Sequence, residues 1–171
     1  MVIRTVIFTI SDRCFAGERK NDSGPLIEEL LPADIYTVVE RKILPDDPDT
    51  IKGALMHYVS RGDVDLILTT GGTGFGERDV TPEATAMVIQ KRTQGLDFLL
   101  YSYGVESNPY AVLSRAVSGI RNKTLIINLP GHPRAVKTCL EVLIPILPHA
   151  LNVMKGAVTD GEHTHKEIKN N

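Results

Sequence analysis

The amino-acid sequence reads as an α/β protein with a mostly parallel central sheet, and three observations lead there. Short apolar runs rich in β-branched residues (VIRTVIFTI, IYTVVERKI, DLILTT, TLIINL) alternate with stretches whose apolar residues recur at helical spacing. Alternation of that kind is the pattern of successive strand–helix units around a largely parallel sheet. In the third observation, the run DLILTT feeds a glycine-rich turn and then a capped helix start, the usual βα connection.

Residues 2–10 read as a buried strand and residues 11–21 as a polar loop. Ser23, Gly24 and Pro25 open a helix carrying Leu26, Ile27, Leu30 and Leu31, which ends near Pro32. Residues 35–43 alternate as a second strand. Asp47 followed by Pro48 starts a helix in which Ile51, Leu55 and Val59 keep the helical period, up to a turn at Arg61 and Gly62. Residues 65–70 form a short buried strand. Thr81, Pro82 and Glu83 read as N-cap, N1 and N2 of the next helix, with Ala84, Met87 and Val88 on one face and a less regular helical stretch continuing through Tyr103. Residues 124–129 make another strand that enters the tight turn NLPGHP. A long helix follows, striped by Val136, Leu140, Leu143, Leu147, Leu151 and Met154, with Pro145 and Pro148 set to kink or break it. The expected division is one domain over residues 1–156 and a polar, frayed tail over residues 157–171.

Composition narrows the function classes. At 171 residues the chain is long enough for a core without disulfide or metal staples. A net charge of −2 and a pI near 6.2 argue against nucleic-acid or anionic-membrane partners and favour small molecules. Cys14 and Cys139 have no motif spacing and fit free thiols in a reducing compartment. The N-terminus lacks a signal-peptide layout, and the apolar stretch over residues 142–151 is interrupted by Pro145, Pro148 and His149, so a cytoplasmic location is expected.

The chemistry concentrates at LTTGGTGFGERDVTPEAT. Gly71, Gly72 and Gly74 allow a sharp turn and close backbone approach to a ligand, and exposed N–H groups ahead of a helix attract anions. Arg78 and Asp79 add an anion-seeking and a metal-seeking group. Taken alone the segment fits an ordinary turn or a phosphate cradle equally well. It is not a P-loop, because no Lys-Ser or Lys-Thr follows the glycines, and its spacing is not that of the dinucleotide fingerprint.

Ligands of open α/β sheets bind at the carboxyl ends of parallel strands. Four such ends carry suggestive groups: Ser11-Asp12-Arg13, Pro45-Asp46-Asp47, the Gly71 to Asp79 loop, and Asn128 to His132. Asp47 has the place of a helix N-cap, whereas Asp46 has no local duty beyond turn propensity, which makes Asp46 the functional carboxylate. With Asp79 it can hold Mg²⁺, an ion that takes one or two carboxylates and fills its shell with water and phosphates. Arg115 and Arg121 are either solvated or meet a phosphate; Ser114 caps, packs or hydrogen-bonds a ligand. His57 and His149 fall within helical patterns, and His163 and His165 lie in the tail.

TTGGTGF, RDVTPEAT, LSRAVSGIR and KTLIINLPGHP resemble the molybdopterin adenylyltransferases of the MogA type, the G domain of gephyrin and its plant counterpart, and the likeness runs over residues 10–151. The resemblance implies a three-layer α-β-α molybdopterin-binding fold, a homotrimer, and Mg²⁺- and ATP-dependent adenylation of molybdopterin with release of pyrophosphate. A molybdenum-insertion protein is the implied partner. It makes Asp46 and Asp79 the catalytic and metal-binding residues, Gly71, Gly72, Thr73 and Gly74 the phosphate cradle, and brings in Ser114. Ser11, Asp12, Asp47, Arg78, Asn128, Pro130 and Gly131 complete the expected binding set. Gly76-Glu77 and His132 depart from the family pattern. Proteins of the MoaB type share these motifs, so a molybdopterin-binding or scaffold protein without adenylation is the alternative, as is a nucleotide pyrophosphatase related to the CinA group.

Overall fold

The computed structural model describes residues 2–157; of the tail expected over residues 157–171, all beyond residue 157, with His163 and His165, lies outside them. The chain order is β1 (Ile3–Ile10), α1 (Asp12–Phe15), α2 (Ser23–Leu30), β2 (Tyr36–Leu44), α3 (Pro48–Arg61), β3 (Leu66–Thr70), α4 (Thr81–Ala86), β4 (Lys91–Arg92), α5 (Gln94–Ser107), a 3₁₀ turn (Pro109–Leu113), β5 (Ser118–Arg121), β6 (Thr124–Leu129), α6 (Pro133–Leu143) and α7 (Leu147–Met154). Among the described residues the strands form one sheet in the order β2-β1-β3-β6-β5-β4. The four strands β2, β1, β3 and β6 run parallel, and β5 and β4 join antiparallel at one edge.

Alternation along β1 explains the layering. Ile3 and Ile7 point into a core shared with α2, α5, α6 and α7, while Val6, Phe8 and Ile10 point into a second core against α3 and α4. Both faces are covered, which is why β1, β3 and β6 are buried almost throughout, whereas the edge strand β2 is buried only at Tyr36 and Leu44. Asp47 caps α3 by accepting the Thr50 N–H at 2.8 Å, Pro48 is its first residue, and Gly62 ends it in the left-handed conformation, as expected. The proline-rich segment after Leu143 turns the chain by 60° between α6 and α7. Among the described residues no single helix is long and apolar enough to cross a membrane.

Three local expectations are corrected. The loop after β1 contains a turn of helix, α1, because Ser11 accepts the Cys14 N–H and caps it. The stretch from Met87 to Tyr103 is not one helix: Gln90 pairs its N–H with Ile120, β4 forms there, and α5 begins only at Gln94. Thr81 is the first residue of α4 and not its cap; Val80 occupies the cap position without a side-chain bond.

Going from β1 the chain steps outward to β2 and then returns across β1 to β3. The switch point therefore lies between β1 and β3, where the connections leave in opposite directions and open a crevice at the strands' carboxyl ends.

Candidate functional site

The crevice gathers all four strand-end segments. Asp12, after β1, and Asp46, after β2, exchange two hydrogen bonds: the Asp12 N–H donates to Asp46 Oδ2 at 2.8 Å, and the Asp46 N–H donates to Asp12 Oδ1 at 2.9 Å. Gly71, after β3, donates its N–H to the Leu129 carbonyl at the end of β6 at 3.2 Å. Thr70 donates its hydroxyl to the Pro130 carbonyl at 2.6 Å, and Ser23 donates to the Gly131 carbonyl at 2.7 Å.

The glycine loop departs from β3 with Gly71 at φ +100° and Gly72 at φ +61°, a backbone that side chains rarely adopt. A Cβ on Gly72 would collide with the Thr81 hydroxyl and lie 2.9 Å from Asp46 Oδ1. Thr81 holds the loop from the start of α4, its hydroxyl donating to the Gly71 carbonyl at 2.9 Å and its N–H to the Gly72 carbonyl at 3.0 Å. That tertiary duty is what removed it from the capping role.

Within the loop, the Gly71 N–H is committed to Leu129 and the Gly76 N–H to Asp79 Oδ2 at 2.9 Å. Among the described residues the N–H groups of Gly72, Thr73 and Gly74 between them find no acceptor. Successive free amides on a turn with left-handed residues make a concavity suited to an anion.

Burial pushes the Asp46 carboxyl above the usual carboxylate range; the Asp12 N–H bond opposes this, while the carboxylates of Asp12 and Asp79 reinforce it. A cation beside Asp46 would relieve that negative field. Among the described residues no three His, Cys, Asp or Glu side chains gather into a metal cage. A pair of carboxylates with open positions suits Mg²⁺, which keeps water and phosphate ligands, and does not suit a structural metal. Asp46 and Asp79 therefore fit the ion expected of them.

Other expected residues have different duties. Arg78 lies against Asp12, with Nε 3.0 Å from Oδ2 and Nη2 3.2 Å from Oδ1, so its guanidinium braces an acid and borders neither cavity of the site. Asp47 is spent on its cap, whose bonds to Thr50 hold its carboxyl below the usual range. Asn128 is fully buried, its amide donating to the hydroxyls of Thr69 and Thr85 at 2.9 Å each and its Oδ1 accepting the Val117 N–H at 3.3 Å.

Two cavities flank this centre. The larger, about 840 Å³, is bordered by Ser114, Tyr101, Tyr110 and Asp97; the smaller, about 320 Å³, by Ser11, Asp46, Arg19 and Lys20. They adjoin along Gly72, Asp79, Gly131 and His132. Asp79 and Gly72 thus stand where two ligand-sized spaces meet, with Asp46 bordering the smaller and Thr73 and Gly74 the larger.

A family model described as "Probable molybdopterin binding domain" matches residues 6–149. The chain belongs to the molybdopterin-binding family. A molybdopterin adenylyltransferase of Helicobacter pylori is 39% identical over 152 residues, covering 88% of this chain and 86% of that protein. The molybdenum cofactor synthesis protein cinnamon of Drosophila melanogaster is 39% identical over 164 residues, and the chain spans only 27% of its length. Among solved structures, the molybdopterin biosynthesis enzyme MoaB of Thermus thermophilus superposes with a TM-score of 0.85 at 42% identity, covering 91% of this chain and 98% of that one.

In this member of the molybdopterin-binding family the sequence left one residue undecided that the site depends on. Arg115 donates to the Gly74 carbonyl at 2.7 Å and the Asp79 carbonyl at 2.5 Å, and pairs with Glu83 in the first turn of α4. Its guanidinium is engaged within the protein, although the side chain keeps 34% exposure. His132, one of the departures from the family pattern, caps α6 by accepting the Arg134 N–H at Nδ1, 3.3 Å away.

Proposed function

We propose that the protein adenylates molybdopterin, joining the terminal phosphate of the pterin to the AMP moiety of ATP and releasing pyrophosphate. One observation carries the reading: Gly72 and Asp79 line both of two adjoining cavities, with Asp46 on the wall of the smaller and Thr73 and Gly74 on the wall of the larger, and the N–H groups of Gly72, Thr73 and Gly74 are unpartnered. A two-substrate transfer needs such a junction, because its rate comes mostly from positioning and charge neutralisation.

The larger cavity is assigned to the pterin, with Tyr101 and Tyr110 on its wall and the Ser114 hydroxyl available to hydrogen-bond ring edges. The Gly72–Gly74 amides supply donors to phosphoryl oxygens as charge develops there. Asp46 and Asp79 would hold Mg²⁺, which supplies charge neutralisation at the phosphates when bound. Asp12, steadied by Arg78, orients Asp46 through the paired hydrogen bonds. Arg115 fixes the backbone of Gly74 and Asp79, so that both groups face the junction in one arrangement.

Support for catalysis over passive binding comes from the adenylyltransferase relative, whereas the MoaB structure is named only as a biosynthesis enzyme. Incubation with ATP, Mg²⁺ and molybdopterin tests the reading, with adenylated pterin and pyrophosphate as products. Pterin binding without pyrophosphate would assign a binding or scaffold protein instead, and nucleotide hydrolysis without pterin would assign a pyrophosphatase.

Assembly into a homotrimer is part of the same proposal. It is supported by exposed apolar side chains on α5 and the 3₁₀ turn, with Phe98 at 70% and Tyr110 at 77% exposure. Light scattering on the purified protein measures it directly.

A further inference from the structure

The adenylation reading leaves the leaving group without a cationic side chain of the protein. Arg78, the residue expected to bind oxyanions, is engaged by Asp12, and Arg115 is consumed by two carbonyls and Glu83. Yet the smaller cavity carries the acids Asp46 and Asp79 on its wall, and these repel a polyphosphate unless positive charge stands opposite. On that wall stand Arg19 and Lys20, from the connection between α1 and α2.

Both cations sit on a backbone that is fixed in place. The N–H groups of Glu18 and Arg19 donate to the Arg13 carbonyl at 2.9 and 3.2 Å, and Cys14 Sγ lies 3.7 Å from the Lys20 carbonyl. Asn21 Oδ1 next in line accepts the Thr9 hydroxyl and the Gly24 N–H, each at 3.1 Å. Their side chains, by contrast, remain available. Arg19 makes no ion pair among the described residues, and Lys20 meets only Asp22, at 3.2 Å with side-chain exposures of 88% and 55%. An ion pair so solvated contributes little and yields to a phosphate.

We propose that Arg19 and Lys20 form the subsite for the β- and γ-phosphates of the nucleoside triphosphate, resting on the adenylation reading for the identity of that ligand. In the transfer, an oxygen of the pterin phosphate forms a bond to the α-phosphorus while the bond from the α-phosphorus to the α,β-bridging oxygen breaks. The electron pair stays on the bridging oxygen, and pyrophosphate leaves with the added negative charge. Arg19 and Lys20 bear on that charge from the smaller cavity while the acceptor occupies the larger one. Guanidinium and ammonium groups are suited to this, one by paired donors and the other as a compact charge.

The test is calorimetric titration of the wild type and of Arg19→Ala/Lys20→Ala with ATP, AMP and inorganic pyrophosphate in Mg²⁺ buffer. The wild type is expected to bind ATP more tightly than AMP. The double variant should lose roughly tenfold or more in affinity for ATP and pyrophosphate while AMP binding and melting temperature stay unchanged, because charge-assisted contacts to phosphate are lost and little else. Arg19→Lys should keep most of the affinity. A double variant that binds ATP and pyrophosphate like the wild type overturns the subsite and leaves adenylation, assayed by product formation, untouched. A wild type that binds pyrophosphate through these two residues yet makes no adenylated pterin keeps the subsite and removes adenylation.

Discussion

Asp12 and Asp46 lock the ends of β1 and β2 together through reciprocal hydrogen bonds of 2.8 and 2.9 Å, which leaves Asp46 Oδ1 turned toward Gly72. The pairing uses one carboxylate oxygen of Asp46 for structure and leaves the other for chemistry. Arg78 offsets the charge of Asp12 but sits on its far partner, so the field at Asp46 remains negative.

The first expected outcome follows from this division. Asp46→Asn keeps an acceptor for the Asp12 N–H and removes a half-buried charge, so the melting temperature at neutral pH should equal or exceed that of the wild type. Adenylation should fall by roughly a hundredfold or more, because a group acting on transition-state charge is worth several kcal/mol. Turnover near the wild-type rate in a folded Asp46→Asn protein, with the same Mg²⁺ dependence, would remove Asp46 from the mechanism.

Gly72→Ala should damage stability as well as binding. Its φ of +61° already strains an alanine, by about 1–3 kcal/mol, and the methyl would collide with the Thr81 hydroxyl. Thermal denaturation is the measurement, and an alanine variant that melts with the wild type would contradict the loop geometry. Loss of ligand affinity in this variant therefore does not by itself identify a phosphate cradle.

Arg115→Met retains the apolar stem and deletes the guanidinium that ties Gly74, Asp79 and Glu83 together. The expected result is a lower melting temperature and weaker molybdopterin binding together, since two carbonyls lose their donor and the loop is freed. Hydrogen exchange at the hydrogen-bonded amides of Gly76 and Asp79 should accelerate. Unchanged exchange there would mean the loop is held without Arg115.

What the sequence made legible was local. Asp47 with Pro48, Gly62, and the prolines after Leu143 act within a few residues of themselves, and the structure follows them. The parallel strands and the strand-end acids were also readable, because apolar runs and topology locate a crevice before any contact is known. Contacts between distant segments were not. The Asp12–Asp46 exchange spans 34 residues and the Arg115 bond to Asp79 spans 36, and no spacing rule reaches that far. Arg78 reads as a phosphate ligand by its neighbours in sequence and is a brace by its neighbours in space. Two-residue β4 and four-residue β5 are too short to show a period, so the antiparallel edge went unread.

The two thiols should differ sharply in reactivity. Burial pushes the Cys139 thiol up to about 12, and the residue is 5% exposed, whereas Cys14 is only partly buried. Thiolate is the reacting form, so a disulfide reagent at mildly alkaline pH should titrate Cys14 in the native protein and both cysteines after denaturation. Cys14→Ser should abolish the native reaction. Rapid native modification of Cys139 would mean that α6 opens readily.

Asp79 offers the sharpest separation of structure from chemistry. Its position just before α4 suggests support for the helix N-terminus, an effect worth about 0.3–1 kcal/mol at an exposed end. The cap position belongs instead to Val80, and the Asp79 side chain closes a tight turn by accepting the Gly76 N–H at 2.9 Å. Asparagine can accept that same bond through its amide oxygen while losing the charge. Asp79→Asn should therefore melt with the wild type and still bind molybdopterin, yet adenylate roughly a hundredfold or more slowly if the carboxylate helps to hold the metal or to orient the attacking phosphate. Melting curves and single-turnover rates on the same preparation decide it. A fall in melting temperature with near-normal turnover of the folded fraction would leave Asp79 as a turn residue, and Asp46 as the one carboxylate of the centre.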